Sequence, residues 1–181
     1  MACRKQPGKL SFAATGFQLI DFYVCAKECF ELYSLKKIKN ELMKQVNSYL
    51  TFNGNCREAM TFYKKCLGGE LVFQTIGESP LSDKMPVQMK KSILHATLTN
   101  GNTVIMGSDM VGSKGLTKGN AVSMMLDCNS EKEIRTIYKK LSNGGEATHP
   151  LEVSFWGALF GDLTDKYGNN WVLHYDMNRK K

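Results

Sequence analysis

His95 is the side chain in this sequence best suited to proton chemistry near neutral pH. It lies within the mostly apolar segment 93–98. Because an imidazole titrates close to neutrality, His95 is a candidate general base that takes a proton from a bound molecule. The alternative is a histidine of the core or of a dimer interface whose ring nitrogens are both paired.

Two carboxylates are further candidates. Asp109 follows Gly107-Ser108 and either acts in a site, as a second catalytic candidate, or caps the local turn. Glu78 lies in the loop before Pro80 and either reaches over a site or stays solvated. No arrangement of Ser, His and Asp can be read from spacing, since such sites form in space rather than in sequence.

An internal repeat sets the elements that must position these side chains. Segment 48–70 recurs as segment 123–146, with Tyr63-Lys64-Lys65 aligned on Tyr138-Lys139-Lys140 and a Gly-Gly-Glu corner ending both copies. Each copy predicts a strand, an amphipathic helix and three further strands. Two copies of one such unit must bury their apolar faces on each other, so the sequence predicts one core built from modules at about 44–113 and 120–177.

Local signals support these elements. The dipeptide Asn100-Gly101 predicts a hairpin in the first module. In the second module, Ser130 and Glu133 form a capping box that predicts a helix start.

Composition narrows the class of protein. The 181 residues are 43% hydrophobic and 23% charged, as in an ordinary globular domain. The net charge is +7, but the lysines are scattered and no basic stripe with interleaved aromatics occurs. We therefore expect neither nucleic acid nor a membrane as a partner.

The six cysteines form no CxxC and no zinc-ligand spacing. Cys56 and Cys66 belong to a predicted helix, and Cys128 ends a predicted strand. Reduced thiols in a cytoplasmic protein are the expectation.

The two ends of the chain lie outside the repeat. Residues 1–42 have no counterpart in either copy and are expected to form a peripheral or disordered extension, with an added helix around 25–40 as one option. The apolar run 10–26 contains Gln18 and Asp21 and is followed by no Ala-x-Ala site, which argues against a signal peptide. Residues 178–181 are predicted to be a basic tail.

The motifs resemble those of a known family. The chain is similar to the PhnB-like branch of the vicinal oxygen chelate (glyoxalase/bleomycin-resistance) superfamily over about residues 44–176. The resemblance rests on four segments, which are Asn53-Gly54-Asn55-Cys56-Arg57-Glu58-Ala59-Met60-Thr61-Phe62-Tyr63, Met106-Gly107-Ser108-Asp109, Phe155-Trp156-Gly157-Ala158-Leu159-Phe160-Gly161 and Thr164-Asp165-Lys166-Tyr167-Gly168-Asn169-Asn170-Trp171. It implies an α+β fold in which tandem βαβββ modules form a curved mixed sheet around a cavity.

The same resemblance implies where a metal would be bound. Metalloenzyme members use a residue of the first strand and a residue of the last strand of each module. Those positions fall on Ser48, Ser123, Met106 and Leu173, which offer a hard cation little or nothing. We therefore expect neither a metal nor an organic cofactor. His174, next to Leu173, is expected on the opposite face of its strand, and His149 is expected to be exposed.

The implied cavity supplies the remaining candidates. We expect Trp156, Phe160 and Trp171 as its walls, with polar features from Ser48, His95, Ser123 and Asp109. Side-chain alternation decides which of these point inward, and an error of one residue reverses the assignment.

The resemblance favours a small-molecule-binding protein of unassigned reaction that forms a homodimer through its open sheet edges. The alternative is a lyase or isomerase, metal-dependent or metal-free, acting on a small oxygenated substrate. Relatives of this kind often have a demethylubiquinone-methyltransferase label, but the chain has no glycine-rich strand-turn-helix for a methyl donor.

Overall fold

The computed structural model describes residues 45–179. A compact unit starts at Val46. Two predicted segments lie outside the described residues. They are the extension 1–42, with the helix considered around 25–40, and the last two residues of the basic tail. The unit that starts at Val46 contains both modules of the repeat.

The first module has the predicted order of elements. A strand, a helix and three strands follow one another as β1 (Ser48–Thr51), α1 (Cys56–Leu67), β2 (Glu70–Thr75), β3 (Ile93–Asn100) and β4 (Thr103–Ser108). Two short 3-10 helices, Ser82–Lys84 and Val87–Lys91, occupy the loop between β2 and β3. Gly101 has a φ of 56° in the β3–β4 turn, which is the backbone conformation that the Asn-Gly signal predicts.

The second module repeats this order. Its elements are β5 (Met124–Asp127), α2 (Glu131–Leu141), β6 (Glu146–Val153), β7 (Ala158–Thr164) and β8 (Asn170–Asp176). The predicted capping box starts α2, because Ser130 Oγ accepts a hydrogen bond from the Glu133 amide at 3.2 Å. The Glu133 carboxylate in turn accepts one from the Asn129 amide at 2.7 Å.

The strands form two mixed four-stranded sheets with the same internal order. The first sheet runs β1-β4-β3-β2 and the second β5-β8-β7-β6. In each sheet the first strand of the module pairs in parallel with the last, and the other neighbours are antiparallel. The predicted α+β fold of tandem βαβββ modules is confirmed, with the strands divided between two sheets.

One core joins the modules. The buried face of α1 contributes Ala59, Met60 and Tyr63. These side chains share a single apolar cluster with Ile134 of α2 and Leu173 of β8. Each sheet therefore has one face directed toward the helices and this core, and one face directed away from them.

No helix within residues 45–179 is long and apolar enough to cross a membrane.

Candidate functional site

The face of the first sheet that points away from the helices is open. Along β3, Ala96 and Leu98 are buried in the core, so His95 and Thr97 project to the other side. On β4 a side chain at Gly107 would meet Phe52, Met60 and Cys56, so its neighbour Met106 also projects away from the core. We call this surface face A and define it by Tyr49, Val72, His95, Thr97 and Met106.

Face A combines one imidazole with exposed apolar side chains. The rings of Tyr49 and His95 lie 5.8 Å apart at 32°. His95 Nε2 lies 3.0 Å from Thr97 Oγ1, so one ring nitrogen already has a protein partner. Tyr49 and Val72 are more than half exposed. Face A can therefore contact an apolar molecule, with His95 held beside it.

The second sheet has an equivalent open surface. Along β8, Trp171 and Leu173 are buried, so Val172 and His174 project away from the core. Strand pairing places Val172 and His174 beside residues of β5 and β7. We call this surface face B and define it by Met125, Asp127, Phe160, Val172 and His174.

A histidine and a carboxylate are paired on face B. His174 Nδ1 lies 3.0 Å from Asp127 Oδ1. Arg179, just beyond β8, forms an ion pair with the other oxygen of the same carboxylate. Hydrogen bonds from Arg179 and then from His174 lower the pKa of Asp127 below its ordinary value. Asp127 is therefore an ionised acceptor that fixes the orientation of the imidazole. Arg179 belongs to the predicted tail and is tied to β5 by this contact.

A second pair of the same kind lies closer to the sheet edge. His149 Nδ1 lies 2.7 Å from Asp162 Oδ2. The His149 side chain is 71% exposed, whereas that of His174 is 22% exposed. The position of His149 on β6, an edge strand, leaves its ring in solvent.

Two of the predicted aromatic walls meet on face B. Trp156 and Phe160 stack edge to face with ring centroids 6.1 Å apart, and Phe155 stacks on Trp156 at 4.6 Å. Phe160 pairs in register with His174 across β7 and β8. Trp156 is 53% exposed, so this aromatic surface is open to a ligand.

Two predicted site residues lie on the wrong side of their strands. Ser48 is in register with the buried Ile105, on the side of the sheet that faces the helices. Trp171 is 1% exposed, and its Nε1 donates a 2.8 Å hydrogen bond to the buried Asp165. Both assignments fail because an error of one residue along a strand exchanges its faces. For the same reason Leu173, the position that the resemblance implies for a metal ligand, lies in the core. His174 lies on the open side of the strand.

Asp109 holds backbone rather than facing an open surface. Its Oδ1 accepts a hydrogen bond from the Cys56 amide and its Oδ2 accepts one from the Ile93 amide, both at 2.9 Å. The carboxylate thereby ties the start of α1 to the start of β3, and both of its oxygens are engaged.

The other polar candidates remain at the surface. Ser123 directly precedes β5 and is exposed. Glu78 is exposed and accepts hydrogen bonds from the Thr75 amide and hydroxyl at 2.8 and 2.7 Å. The bond from the Thr75 amide is the first cause of a lowered Glu78 pKa. Glu78 therefore closes its own turn.

The donor set does not fit the metal that the superfamily implies. Among residues 45–179, no three His, Cys, Asp or Glu side chains are close enough to share an ion. Met106 and Leu173, at two of the family positions, have no oxygen or nitrogen in their side chains. No step of a mechanism is derived through a metal.

Two clefts have no histidine in their lining, although Asp127, the partner of His174, lines the first of them. One of about 430 Å³ separates the β3–β4 hairpin from the start of α2. The other, of about 300 Å³, lies between β1 and the segment that leads into β5, and Tyr49 of face A contributes to it. Lys118 closes part of the second cleft by donating to the Tyr167 carbonyl at 2.6 Å and to Asn169 Oδ1 at 2.9 Å.

Sequence reasoning did not single out Asp127 or Tyr49. It placed His174 on the face of β8 opposite the expected cavity. Alternation in β8 was the available signal, because Trp171, Leu173 and Tyr175 make one continuous large apolar side. Such a side belongs to the core, which leaves His174 on the open face. Nothing local in the sequence pairs His174 with Asp127, since the two residues are 47 positions apart.

Comparisons with known proteins agree with this architecture. Protein YjdN of Escherichia coli (strain K12) is 28% identical over 137 residues, which cover 71% of this chain and 93% of the relative. The crystal structure of protein PA1353 from Pseudomonas aeruginosa is 35% identical with a TM-score of 0.66, covering 74% of this chain and 98% of that one. A glyoxalase/bleomycin resistance protein/dioxygenase family enzyme from Burkholderia phytofirmans PsJN, 10% identical with a TM-score of 0.51, covers 73% of this chain and 100% of its own and supports the fold alone.

A fourth protein links the structure to a named family. A structure described as a putative 3-demethylubiquinone-9 3-methyltransferase, PhnB protein, from Bacillus cereus is 27% identical with a TM-score of 0.58, covering 73% of this chain and 99% of that one. The family model described as 3-demethylubiquinone-9 3-methyltransferase matches residues 44–174. The resemblance seen in the motifs is confirmed, and the chain belongs to this PhnB-like family of the glyoxalase/bleomycin-resistance fold.

Proposed function

We propose that the chain is a small-molecule-binding protein whose ligand lies against the open sheet faces A and B. The observation that carries this proposal is the exposure of large apolar side chains on the surfaces that no helix of residues 45–179 covers. Tyr49 and Val72 are 54% and 58% exposed on face A, and Met125 is 61% exposed on face B. Exposed apolar surface of this kind marks places where a ligand or a partner binds.

The proposal includes a homodimer that forms through the open sheet edges and leaves faces A and B to the ligand. Among residues 45–179, each sheet ends in open edge strands, β1 and β2 in the first sheet and β5 and β6 in the second. Open edges are removed from water when two copies associate. Nucleic acid and lipid are not proposed as partners, because the residues that define the two faces include no lysine or arginine.

The proposal does not include methyl transfer, despite the family description. In each sheet the two strands joined by the helix, β1 and β2 or β5 and β6, lie at opposite edges. The glycine-rich dinucleotide-type site requires such strands to be parallel neighbours with the helix starting between them. We also propose a cytoplasmic location, which the free, buried thiols of Cys56, Cys66 and Cys128 support.

A fluorescent probe tests whether the open faces bind apolar ligands. The full chain is titrated with 1-anilinonaphthalene-8-sulfonate, and emission and sedimentation equilibrium are followed together. We expect saturable binding that weakens about tenfold in Phe160→Ala. The control is Val87→Ala, because Val87 is 75% exposed but lies outside both faces. Equal affinity of both variants and the native chain would overturn the site, and a monomer at every concentration would overturn the dimer.

Tryptophan fluorescence can measure whether face B is exposed or covered. Trp156 is 53% exposed on face B and Trp171 is 1% exposed in the core, and the chain has no other. We expect acrylamide to quench Trp156 in dilute protein and to quench it less once a ligand covers face B. Trp156→Phe leaves only the protected Trp171 and provides the baseline.

The second candidate function is a metal-free lyase or isomerase on a small oxygenated substrate. It requires a proton-moving group on an open face, and the pairing of His174 with Asp127 favours it.

A further inference from the structure

The three histidines of the chain differ in how their ring nitrogens are engaged. His95 Nε2 is 3.0 Å from the Thr97 hydroxyl. His149 is paired through Nδ1 but is 71% exposed, so solvent surrounds its ring. His174 is paired through Nδ1, is only 22% exposed, and its Nε2 has no hydrogen-bond partner among residues 45–179. His174 and His149 both have a ring held by a carboxylate and a second nitrogen without a partner among residues 45–179, but only His174 has its ring partly buried.

The partner of His174 determines which nitrogen holds the proton. An ionised carboxylate only accepts hydrogen bonds, so Nδ1 of His174 must be the donor to Asp127. In the neutral ring Nε2 is then left with the lone pair. Arg179 keeps Asp127 ionised by binding its other oxygen. The Nε2 atom of His174 is therefore a base with a fixed direction.

The surroundings of His174 offer an aromatic surface to a flat ligand. Phe160 is its register partner on β7, and Trp156 stacks against Phe160. Several charged groups also face this region. Asp127 and Arg179 form an ion pair, Asp162 and Asp176 lie two residues from Phe160 and His174 on the same side of their strands, and Glu152 is the register partner of Phe160. A planar ring stacked on Phe160 would bring its edge toward the imidazole, because Phe160 is the register partner of His174.

The geometry points to His174 as a general base on face B, positioned by Asp127, that takes a proton from a planar carbon or oxygen acid such as an aryl ketone. This inference rests on the proposed function in one respect, namely that face B is a ligand face. Asp127 acts as a positioning residue because it accepts the hydrogen bond of the imidazole.

The step is a simple proton transfer. The C–H bond next to a carbonyl breaks, the proton binds His174 Nε2, and the electron pair stays on the ligand as an enolate. Asp127 stabilises the imidazolium that forms. Return of the proton to a different atom completes an isomerisation, and expulsion of a leaving group from the neighbouring carbon completes an elimination. No oxidant or reductant is needed.

A carbon acid with a coloured product tests the base without knowledge of the natural ligand. In 5-nitrobenzisoxazole, loss of the ring C–H proton to a base forms a nitrile and breaks the N–O bond, which releases a nitrophenolate. We expect the full chain to release phenolate at least about tenfold faster than free imidazole at the same concentration. His174→Gln should remove the rate enhancement over free imidazole. His149→Gln, which changes the other histidine paired with an aspartate, should keep it. Retention of the rate in His174→Gln would overturn the inference.

The role of Asp127 is read from the pH profile. Asp127→Asn removes the negative charge beside His174, so the imidazolium loses its stabilising partner and the neutral imidazole becomes a weaker base. The rate inflection should then move to lower pH and the plateau should drop several-fold. Asp162→Asn, the same change beside His149, should leave both unchanged. An unaltered profile in Asp127→Asn would reject the positioning role.

A measurement on the unmodified chain guards against variants that fail to fold. Nitrogen chemical shifts of the imidazoles should show the Nδ1–H tautomer for the neutral ring of His174, and the Nε2–H tautomer would overturn the inference. The two measurements test the general base and the binding face separately. Saturable dye binding without phenolate release would reject His174 as a base and keep the proposed function. Phenolate release without dye binding would reject the proposed function and keep the base.

Discussion

Tyr63 of the first module donates a 2.6 Å hydrogen bond to Asp165 of the second, 102 positions later in the chain. Asp165 is 3% exposed and also accepts from Trp171 Nε1. The Asn169 side chain donates to the same Tyr63 hydroxyl at 2.6 Å. Burial is the first cause of a raised Tyr63 pKa, followed by the neighbouring Asp165 charge. The phenol is therefore a fixed donor that links α1 to the β7–β8 turn.

Removal of this hydroxyl should loosen the joint between the modules. Tyr63→Phe leaves Asp165 and Asn169 each without one partner, so we expect a loss of about 1–3 kcal/mol in the free energy of unfolding. Urea unfolding of the full chain measures it. Tyr138→Phe is the control, since its hydroxyl bonds carbonyls within the second module only and is more exposed. Equal losses of unfolding free energy in both variants would show that the hydrogen bonds between the modules contribute no more stability than those within one module.

Asp109 should matter for stability and not for proton transfer. Asp109→Ala leaves the Cys56 and Ile93 amides without their acceptor, which should cost about 2 kcal/mol. Asp83→Ala, an exposed carboxylate in a 3-10 turn, should change stability by less than about 0.5 kcal/mol. Thermal unfolding gives the stabilities. A stable Asp109→Ala chain with lost phenolate release would instead make Asp109 catalytic.

The ion pair of Arg179 with Asp127 should give stability that disappears in acid. The folded-state pKa of Asp127 lies below its ordinary value of 3.8, so the pair stabilises the fold fully above pH 3.8. That contribution is lost as the pH falls from there through the lowered pKa. The Asp127 side chain is 47% exposed, and solvent screening limits the effect to at most about 1 kcal/mol.

Arg179→Gln tests this pH dependence. The variant should be less stable than the native chain at pH 7, and the difference should shrink below pH 3.8. Lys91→Gln removes an equal charge outside the ion pairs of residues 45–179 and should show no such convergence. A difference that stays constant from pH 7 to pH 3 would contradict the linkage.

The three described cysteines should be unreactive in the folded chain. Desolvation by burial is the first cause that raises the pKa of Cys56 to about 12 and those of Cys66 and Cys128 to about 11. At pH 8 little thiolate is present, and the thiolate is the reactive form. Iodoacetamide labelling followed by peptide mass spectrometry should modify these residues only in urea. Labelling at the same rate without urea would show that the thiols are accessible.

Divalent metals should leave the fold unchanged. A ligand that binds only the native state raises stability in proportion to the logarithm of its concentration. We expect no saturable rise in melting temperature with Mn²⁺, Ni²⁺, Zn²⁺, Fe²⁺ or Mg²⁺ added to metal-stripped protein. A rise with one of them that disappears in His174→Gln would give His174 the role of a ligand instead of a base.

The amino-acid sequence by itself determined the modular architecture. The repeated helix ends and the capping box at Ser130 are local signals, and local backbone preferences decide helices and turns. The same patterns placed Asn100-Gly101 at a hairpin, where the structure has it. The order of elements and the fold class follow from such signals because each one is read within a few residues.

Tertiary structure alone decided which side chains share a face. A strand has two faces separated by a single residue, so Ser48 and Trp171 were assigned to an open cavity and instead face the core. His174 acquires its chemistry from Asp127 and Arg179, and these contacts exist only after β5 and β8 pair. Pairing between distant strands depends on the packing of the whole core, which no short segment of the sequence specifies.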